Sequence, residues 1–177
     1  FDFTLTTVFD LEEDNLVISY ELSNESRSGT MPVGLGTRMR LPRGRNTLLS
    51  AGISSLWLED ENYVPLTMGE VPFNIDLKEG VRLDAVNTRE RWFSGWTRRL
   101  SIDYAESRLS TTIKAEEEMR HLGFSCSDNN HHFTLTPMTH VPGAMDIRGY
   151  DEDETGLREI GPGESFETKI KIDVELA

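Results

Sequence analysis

A period of two runs through this chain. Phe1, Phe3, Leu5 and Phe9 fall on one side of the first run, with Asp2, Thr4 and Thr6 on the other. Leu16, Ile18, Tyr20 and Leu22 repeat the pattern after a loop at residues 11–15. Near the end, Phe166, Ile170, Ile172, Val174 and Leu176 alternate with Glu167, Lys169, Lys171, Asp173 and Glu175. Side chains alternate across a strand, so each run gathers its apolar residues on one face only if it is extended. The last run reads as a half-buried antiparallel strand with one wet face. Shorter runs lie between, at 47–57, 66–75, 100–104, 110–115, 121–127 and 133–135, punctuated by Gly, Pro, Asn and Asp. No stretch of a dozen residues carries a helical period. A short helical turn is predicted at Asn87 to Trp92, and little else is expected to be helical. Many short strands separated by turns make an all-β sandwich or barrel, read as one domain over residues 1–177.

Charge excludes some partners. The chain has 18 basic and 31 acidic side chains, a formal net charge of −13. Nucleic acid and anionic membranes reward clustered Lys and Arg, so neither is expected as a partner. Arg38, Arg40, Arg43 and Arg45 do gather within eight positions. They read first as a solvated strand edge or loop, with an anion grip as the alternative. The single cysteine, Cys126, cannot form an internal disulfide and is expected to be buried and inert. No apolar run reaches membrane-spanning length and no basic-then-apolar segment opens the chain, so a cytoplasmic location is expected. Asn24 to Ser26 is a formal glycosylation sequon, read as chance. The acidic run Asp151 to Glu154 lacks the alternating ligands and turn glycine of a calcium loop and reads as a solvated loop. The first residues begin in mid-strand, and the chain is expected to be part of a longer one.

One stretch carries more than fold information. Phe133, Thr134, Leu135, Thr136, Pro137, Met138, Thr139, His140, Val141, Pro142, Gly143 and Ala144 resemble the signature of the aldose 1-epimerase (galactose mutarotase) family. There an aromatic-rich strand runs into Glu-Pro-x-Thr/Ser-(His)-x-Pro-Asp-Ala. Four further segments resemble the family in the right order. Met31, Pro32, Gly34, Gly36 and Pro42 match a Met-Pro-x-Gly-Leu-Gly-x-His-Pro-Tyr-Phe-Pro stretch, in which Arg38 takes the place of the family's His. Tyr63 to Phe73 resembles the crossing before a Phe-Asp/Asn strand. Leu83-Asp84-Ala85 and Phe93-Ser94-Gly95-Trp96 resemble Leu-Asp-x-x-Phe-x-Gly-Trp with extra residues between. Counting back from Phe93 puts Glu90 at the family's sugar-binding Asp; counting from Leu83 puts Asp84 there, and Glu90 is preferred. Leu157 to Glu164, ending in Pro162-Gly163-Glu164, resembles the turn before the family's last strand. Family members carry a long segment ahead of the first match, and thirty residues precede Met31 here.

The resemblance implies a galactose mutarotase-like supersandwich, N-terminally truncated, with a sugar groove and no cofactor or metal. It implies a small-molecule sugar as partner. It also implies that Glu and His exchange protons with the anomeric hydroxyl and ring oxygen. In this chain those two positions are Thr136 and Arg38. A threonine hydroxyl is a poor base without an activating partner, and a guanidinium does not release its proton near neutrality. Each positioned proton donor or acceptor contributes ~10²- to 10⁴-fold, so losing both removes most of the acceleration. The expected protein binds carbohydrate through Arg38, Glu90, Trp96, Thr136 and His140 with weak or no mutarotase activity. The alternatives are an active epimerase for an unusual or acidic hexose, which Arg38 and Arg40 would favour, and an interaction module with a vestigial groove. Trp57 and Trp92 are further candidates to stack on a pyranose, with core packing as the commoner fate. His131, His132 and His140 read as surface or loop imidazoles; as a zinc set they are disfavoured, because adjacent strand residues point to opposite faces.

Overall fold

The structure, a computed structural model, describes residues 1–127 and 131–176. Its strands in chain order are β1 (Phe3–Leu11), β2 (Asn15–Asn24), β3 (Met31–Val33), β4 (Met39–Pro42), β5 (Thr47–Ala51), β6 (Ser55–Glu59), β7 (Pro65–Gly69), β8 (Val81–Arg82), β9 (Thr88–Ser94), β10 (Arg99–Tyr104), β11 (Leu109–Ala115), β12 (His121–Cys126), β13 (His132–Met138), β14 (Arg158–Ile160) and β15 (Ser165–Leu176). A seven-stranded sheet runs β1-β2-β15-β11-β10-β5-β8 and a six-stranded sheet runs β4-β13-β12-β9-β6-β7, while β14 and β3 form a ribbon. The pairings are antiparallel, as short connections between alternating strands require.

The two sheets pack face to face. The large sheet supplies Leu49, Leu100, Ile102, Ile113 and Ile170 to the core; the smaller supplies Leu56, Phe93, Leu122, Phe124, Phe133 and Leu135. The period-two pattern does this work on β12: Leu122, Phe124 and Cys126 enter the core, which leaves His121, Gly123 and Ser125 on the outer face. Cys126 is buried there, as expected. On β15, Phe166, Thr168 and Ile170 are buried while Glu167 and Lys169 are exposed; beyond Ile172 the strand runs out from under the second sheet and Val174 and Leu176 are exposed.

Three local expectations need correction. Residues 87–92 are not a helical turn. Thr88–Ser94 form β9, because cross-strand pairing to β12 and β6 on both sides outweighs any local preference. Residues 66–75 are strand only as far as Gly69, and short 3₁₀ turns follow at Phe73–Ile75, Leu77–Glu79 and Leu83–Ala85. The alternating face of β1 is also not half-buried. The β1–β2 hairpin forms with the loop where it was placed, yet β1 is an edge strand with no layer over it, and Phe9 is 67% exposed.

The sequon reading holds on structural grounds. Asn24 is fully buried and its Nδ2 donates to the carbonyls of Ile160 and Gly29. The acidic run is a single helical turn, α1 (Glu152–Thr155). The Asp151 carboxylate accepts from the Glu154 N–H, and the Asp151 N–H donates to the Glu154 carboxylate, a reciprocal cap that satisfies two end donors. Arg120 pairs with Asp153 at 3.1 Å. That turn ends a strap, residues 139–157, lying over the outer face of the smaller sheet. Val141 and Ala144 are buried against Trp57, and Trp92, Met68, Ile147, Tyr150 and Leu157 pack around them. Tyr150 pins the strap to β7, its hydroxyl bonded to Thr67 Oγ1 and accepting from the Met68 N–H, both at 2.7 Å. Among the described residues no helix is long and apolar enough to cross a membrane.

Candidate functional site

The outer face of the smaller sheet gathers several of the residues singled out by the sequence. On β13, Phe133 and Leu135 enter the core, so His132, Thr134 and Thr136 point the other way. The register sets Arg40 of β4 opposite Thr134, Thr134 opposite Ser125, Thr136 opposite Gly123, and Gly123 opposite Trp92 of β9. Arg38 lies just before β4, in phase with Arg40. Its Nη1 donates to Glu90 Oε1 at 2.7 Å. β4 and β9 are three strand spacings apart, ~14 Å on a flat sheet, so this pair reaches across β13 and β12. It can do so because the residues beneath are small: Thr134, Thr136, Gly123 and Ser125.

Beside this bridge lies a cavity of about 610 Å³, lined by Arg38, Arg40, Glu90, Ser125, His132 and Thr134 among others. Its charge is lopsided. Arg89 and Arg91 share Glu59, at 2.6 and 3.6 Å, and Arg38 holds Glu90; Arg40 has no hydrogen bond or ion pair among the described residues. His132 Nε2 is buried and unpartnered, again among the described residues.

Thr136 sits one step to the other side of the bridge. It is buried, and its hydroxyl has no hydrogen-bond partner among the described residues. The Trp92 ring explains the enclosure. A Cβ added to Gly123 would stand 2.5 Å from Trp92 Cζ3 and 3.0 Å from Thr136 Cβ. The indole therefore leans over Gly123 toward the threonine, into space that only a glycine leaves open.

Further along the same face, Trp57 Nε1 donates to Ser94 Oγ at 2.6 Å, and Ser94 Oγ lies 2.8 Å from His121 Nδ1. An indole N–H can only donate. The serine therefore accepts from Trp57 and shares a second hydrogen bond with Nδ1, tying three side chains into one chain of contacts that leaves Nε2 at its end. That atom is buried with no hydrogen-bond partner among the described residues. Burial first, then the neighbouring His140 and Arg120, push the imidazole down to about 4, so His121 is neutral at neutral pH.

The remaining candidates go elsewhere. Trp96 is 1% exposed, packed in the core with its Nε1 donating to the Arg99 carbonyl. Its ring has no free face for a ligand. His140 packs its ring against Gly34 and lines a separate cavity of about 240 Å³ with Pro32, Gly143 and Ala144; burial lowers its pKa. Asp84 pairs with Arg82 at the surface, which depresses its carboxyl, so of the two alternatives it is Glu90 that faces the cavity. Trp57 is wholly buried under the strap. His131 is exposed. Trp92 and His121 are the residues that sequence reasoning undervalued. The signal was phase: Trp92 is in step with Glu90 and Ser94, and His121 with Gly123 and Ser125, whereas Trp96 follows a left-handed Gly95 and belongs to the next segment.

Comparison with solved structures places the architecture. A galactose mutarotase-like protein from Clostridium acetobutylicum superposes with a TM-score of 0.87 at 18% identity, over 99% of this chain and 56% of that one. A galactose mutarotase-like protein from Lactobacillus casei gives 0.75 at 14% identity, over 98% and 63%. The fold is that of the galactose mutarotase-like proteins. A galactose mutarotase-related enzyme from Lactobacillus acidophilus superposes at 0.72 with 11% identity. In sequence, the chain is 24% identical to the uncharacterized protein YphB of Escherichia coli K12 over 188 aligned positions, covering 99% of this chain and 61% of YphB. No protein-family model matches. The chain therefore spans about three-fifths of the length of relatives that share its galactose mutarotase-like fold.

Proposed function

We propose that this chain is a carbohydrate-binding, aldose 1-epimerase-like protein with little or no mutarotase activity, acting in the cytoplasm on a small-molecule sugar. The observation that carries this reading is the state of the two positions that would exchange protons. Arg38 is tied to Glu90 and cannot act as a neutral acid or base at physiological pH. Thr136 is enclosed beside Trp92, with no group among the described residues to take its proton. The cavity on the far side of the Arg38–Glu90 pair keeps hydroxyls and charged donors suited to sugar hydroxyls, while Trp92, partly exposed, stands with Thr136 across the pair from it.

One observation favours a second reading. Glu90 and His132 line the same cavity, and a carboxylate with an imidazole is the pair that hemiacetal opening needs. NMR exchange spectroscopy on aldoses separates the two. The first reading expects interconversion of anomers at the uncatalysed rate, and a gain when Thr136→Glu and Arg38→His are combined. Rapid exchange in the unaltered protein that is lost in both Glu90→Gln and His132→Gln establishes the second reading and ends the first.

A further inference from the structure

We propose that the cavity between β4, β13, β12 and β9 is selective for an anionic hexose, a uronate or a hexose phosphate, with Arg40 as the group that meets its charge. The inference rests on the carbohydrate reading and names the sugar class for that site. Four arginines, Arg38, Arg40, Arg89 and Arg91, stand around the cavity or beside it against two glutamates, Glu59 and Glu90. This surplus occurs on a chain whose overall charge is −13, so it is local.

Pairing divides the four. Glu59, whose side chain is 2% exposed, holds Arg89 and Arg91 in place, and Glu90 holds Arg38. Arg40 alone of the four has neither a hydrogen bond nor an ion pair among the described residues. It stands directly across from Thr134, whose hydroxyl is likewise without a partner there, as are those of Ser125 and Ser127. His132 adds a buried Nε2 with no partner. A planar guanidinium presents paired donors that match a carboxylate or phosphate. The hydroxyls and the imidazole are left to meet the sugar's own hydroxyls. A neutral hexose would leave Arg40 without its counter-charge; an anionic one fills that place.

The test is isothermal titration of the whole chain, at low and at physiological salt, with a neutral hexose, its uronate, its 6-phosphate and inorganic phosphate alone. At least one anionic hexose is expected to bind about 10-fold or more tighter than the neutral sugar, as one charge-assisted contact implies, and the margin should narrow with added salt. Arg40→Gln is expected to bring the anionic affinity down to that of the neutral hexose. Arg40 is exposed, so the variant should keep the wild-type denaturation midpoint. Uronate preference and phosphate preference each support the proposal and identify the source of the charge. Equal affinity for neutral and anionic hexoses overturns it while leaving carbohydrate binding intact. Inorganic phosphate binding as tightly as the hexose phosphate overturns the sugar part. If no sugar binds, the carbohydrate reading falls and this proposal falls with it.

Discussion

Replacing Gly123 by alanine probes how the site is built. The added methyl would sit 2.5 and 3.0 Å from two carbons of the Trp92 ring and 3.0 Å from Thr136 Cβ. Carbon atoms in good contact stand ~3.5–4.0 Å apart. The near edge of the indole must therefore retreat by about 1 Å, out of its place between the strap and the sheet. Overpacking of this kind costs roughly 1–3 kcal/mol. Removing a strand glycine returns about 0.5–1 kcal/mol of backbone entropy, so Gly123→Ala alone should destabilise by ~1–2 kcal/mol. The decisive quantity is the coupling. In a Trp92→Ala background the methyl meets no ring and only the Thr136 Cβ contact at 3.0 Å remains to offset the gain from removing a strand glycine, so the same change should come out close to neutral. Urea denaturation followed by far-UV circular dichroism gives all four corners of the cycle. A coupling energy of ~1–2 kcal/mol is expected, within the range for residues in contact. Additivity within about 0.5 kcal/mol would mean that the ring does not lie over Gly123, and the explanation for the enclosure of Thr136 would be lost.

Two further outcomes follow from other parts of the molecule. His121 is held near pKa 4 in the fold against an ordinary value of 6.5, so on acidification the unfolded chain takes up the proton first; stability is full above about pH 6.5 and falls as the pH drops toward 4, by about 2 kcal/mol between pH 7 and 5 from this residue. His140, also lowered by burial, adds in the same direction, and urea midpoints for His121→Gln should show a markedly flatter profile over that interval; an unchanged slope would refute the buried neutral imidazole. Phe9→Ala should alter stability by no more than about 0.5 kcal/mol because its side chain is exposed, whereas Phe133→Ala, in the core, should cost ~3–5 kcal/mol; comparable losses in denaturant titrations would show that β1 is covered in solution.

The strands whose alternation survives in three dimensions were legible because one face meets a second sheet. Phe166 and Ile170 on β15, and Leu122 and Phe124 on β12, are of this kind. The pattern misleads on β1, since it reports a capacity to bury a face and not the presence of a layer to bury it. β9 was hidden for a related reason: in Arg89, Glu90 and Arg91 the charges interrupt the alternation, and Glu59 reaching both arginines is a tertiary fact. Family spacing located Arg38 and Thr136, and the structure sets them on one face of one sheet. It could not tell Trp92 from Trp96. The matched Gly-Trp pair identifies a turn, and which indole reaches the outer face depends on cross-strand register and on the gap at Gly123. His121 was passed over because its partner Ser94 lies on a neighbouring strand 27 residues away, and Ser94 is itself bonded to Trp57, 37 residues from it.

The most direct measurement is a sugar titration watched through the three indole N–H signals in ¹⁵N-labelled protein. Trp57 is buried and bonded to Ser94, Trp96 is buried and bonded to the Arg99 carbonyl, and Trp92 alone of the three keeps partial exposure beside Thr136, Glu90 and Arg38. A saturable shift is expected at Trp92, with Trp57 and Trp96 nearly still and no acceleration of anomer exchange in the same tube. A sugar that moves Trp96 and leaves Trp92 untouched, or an unaltered protein that interconverts anomers at an enzyme's rate, contradicts the central claim that these strands hold a saccharide without turning it over.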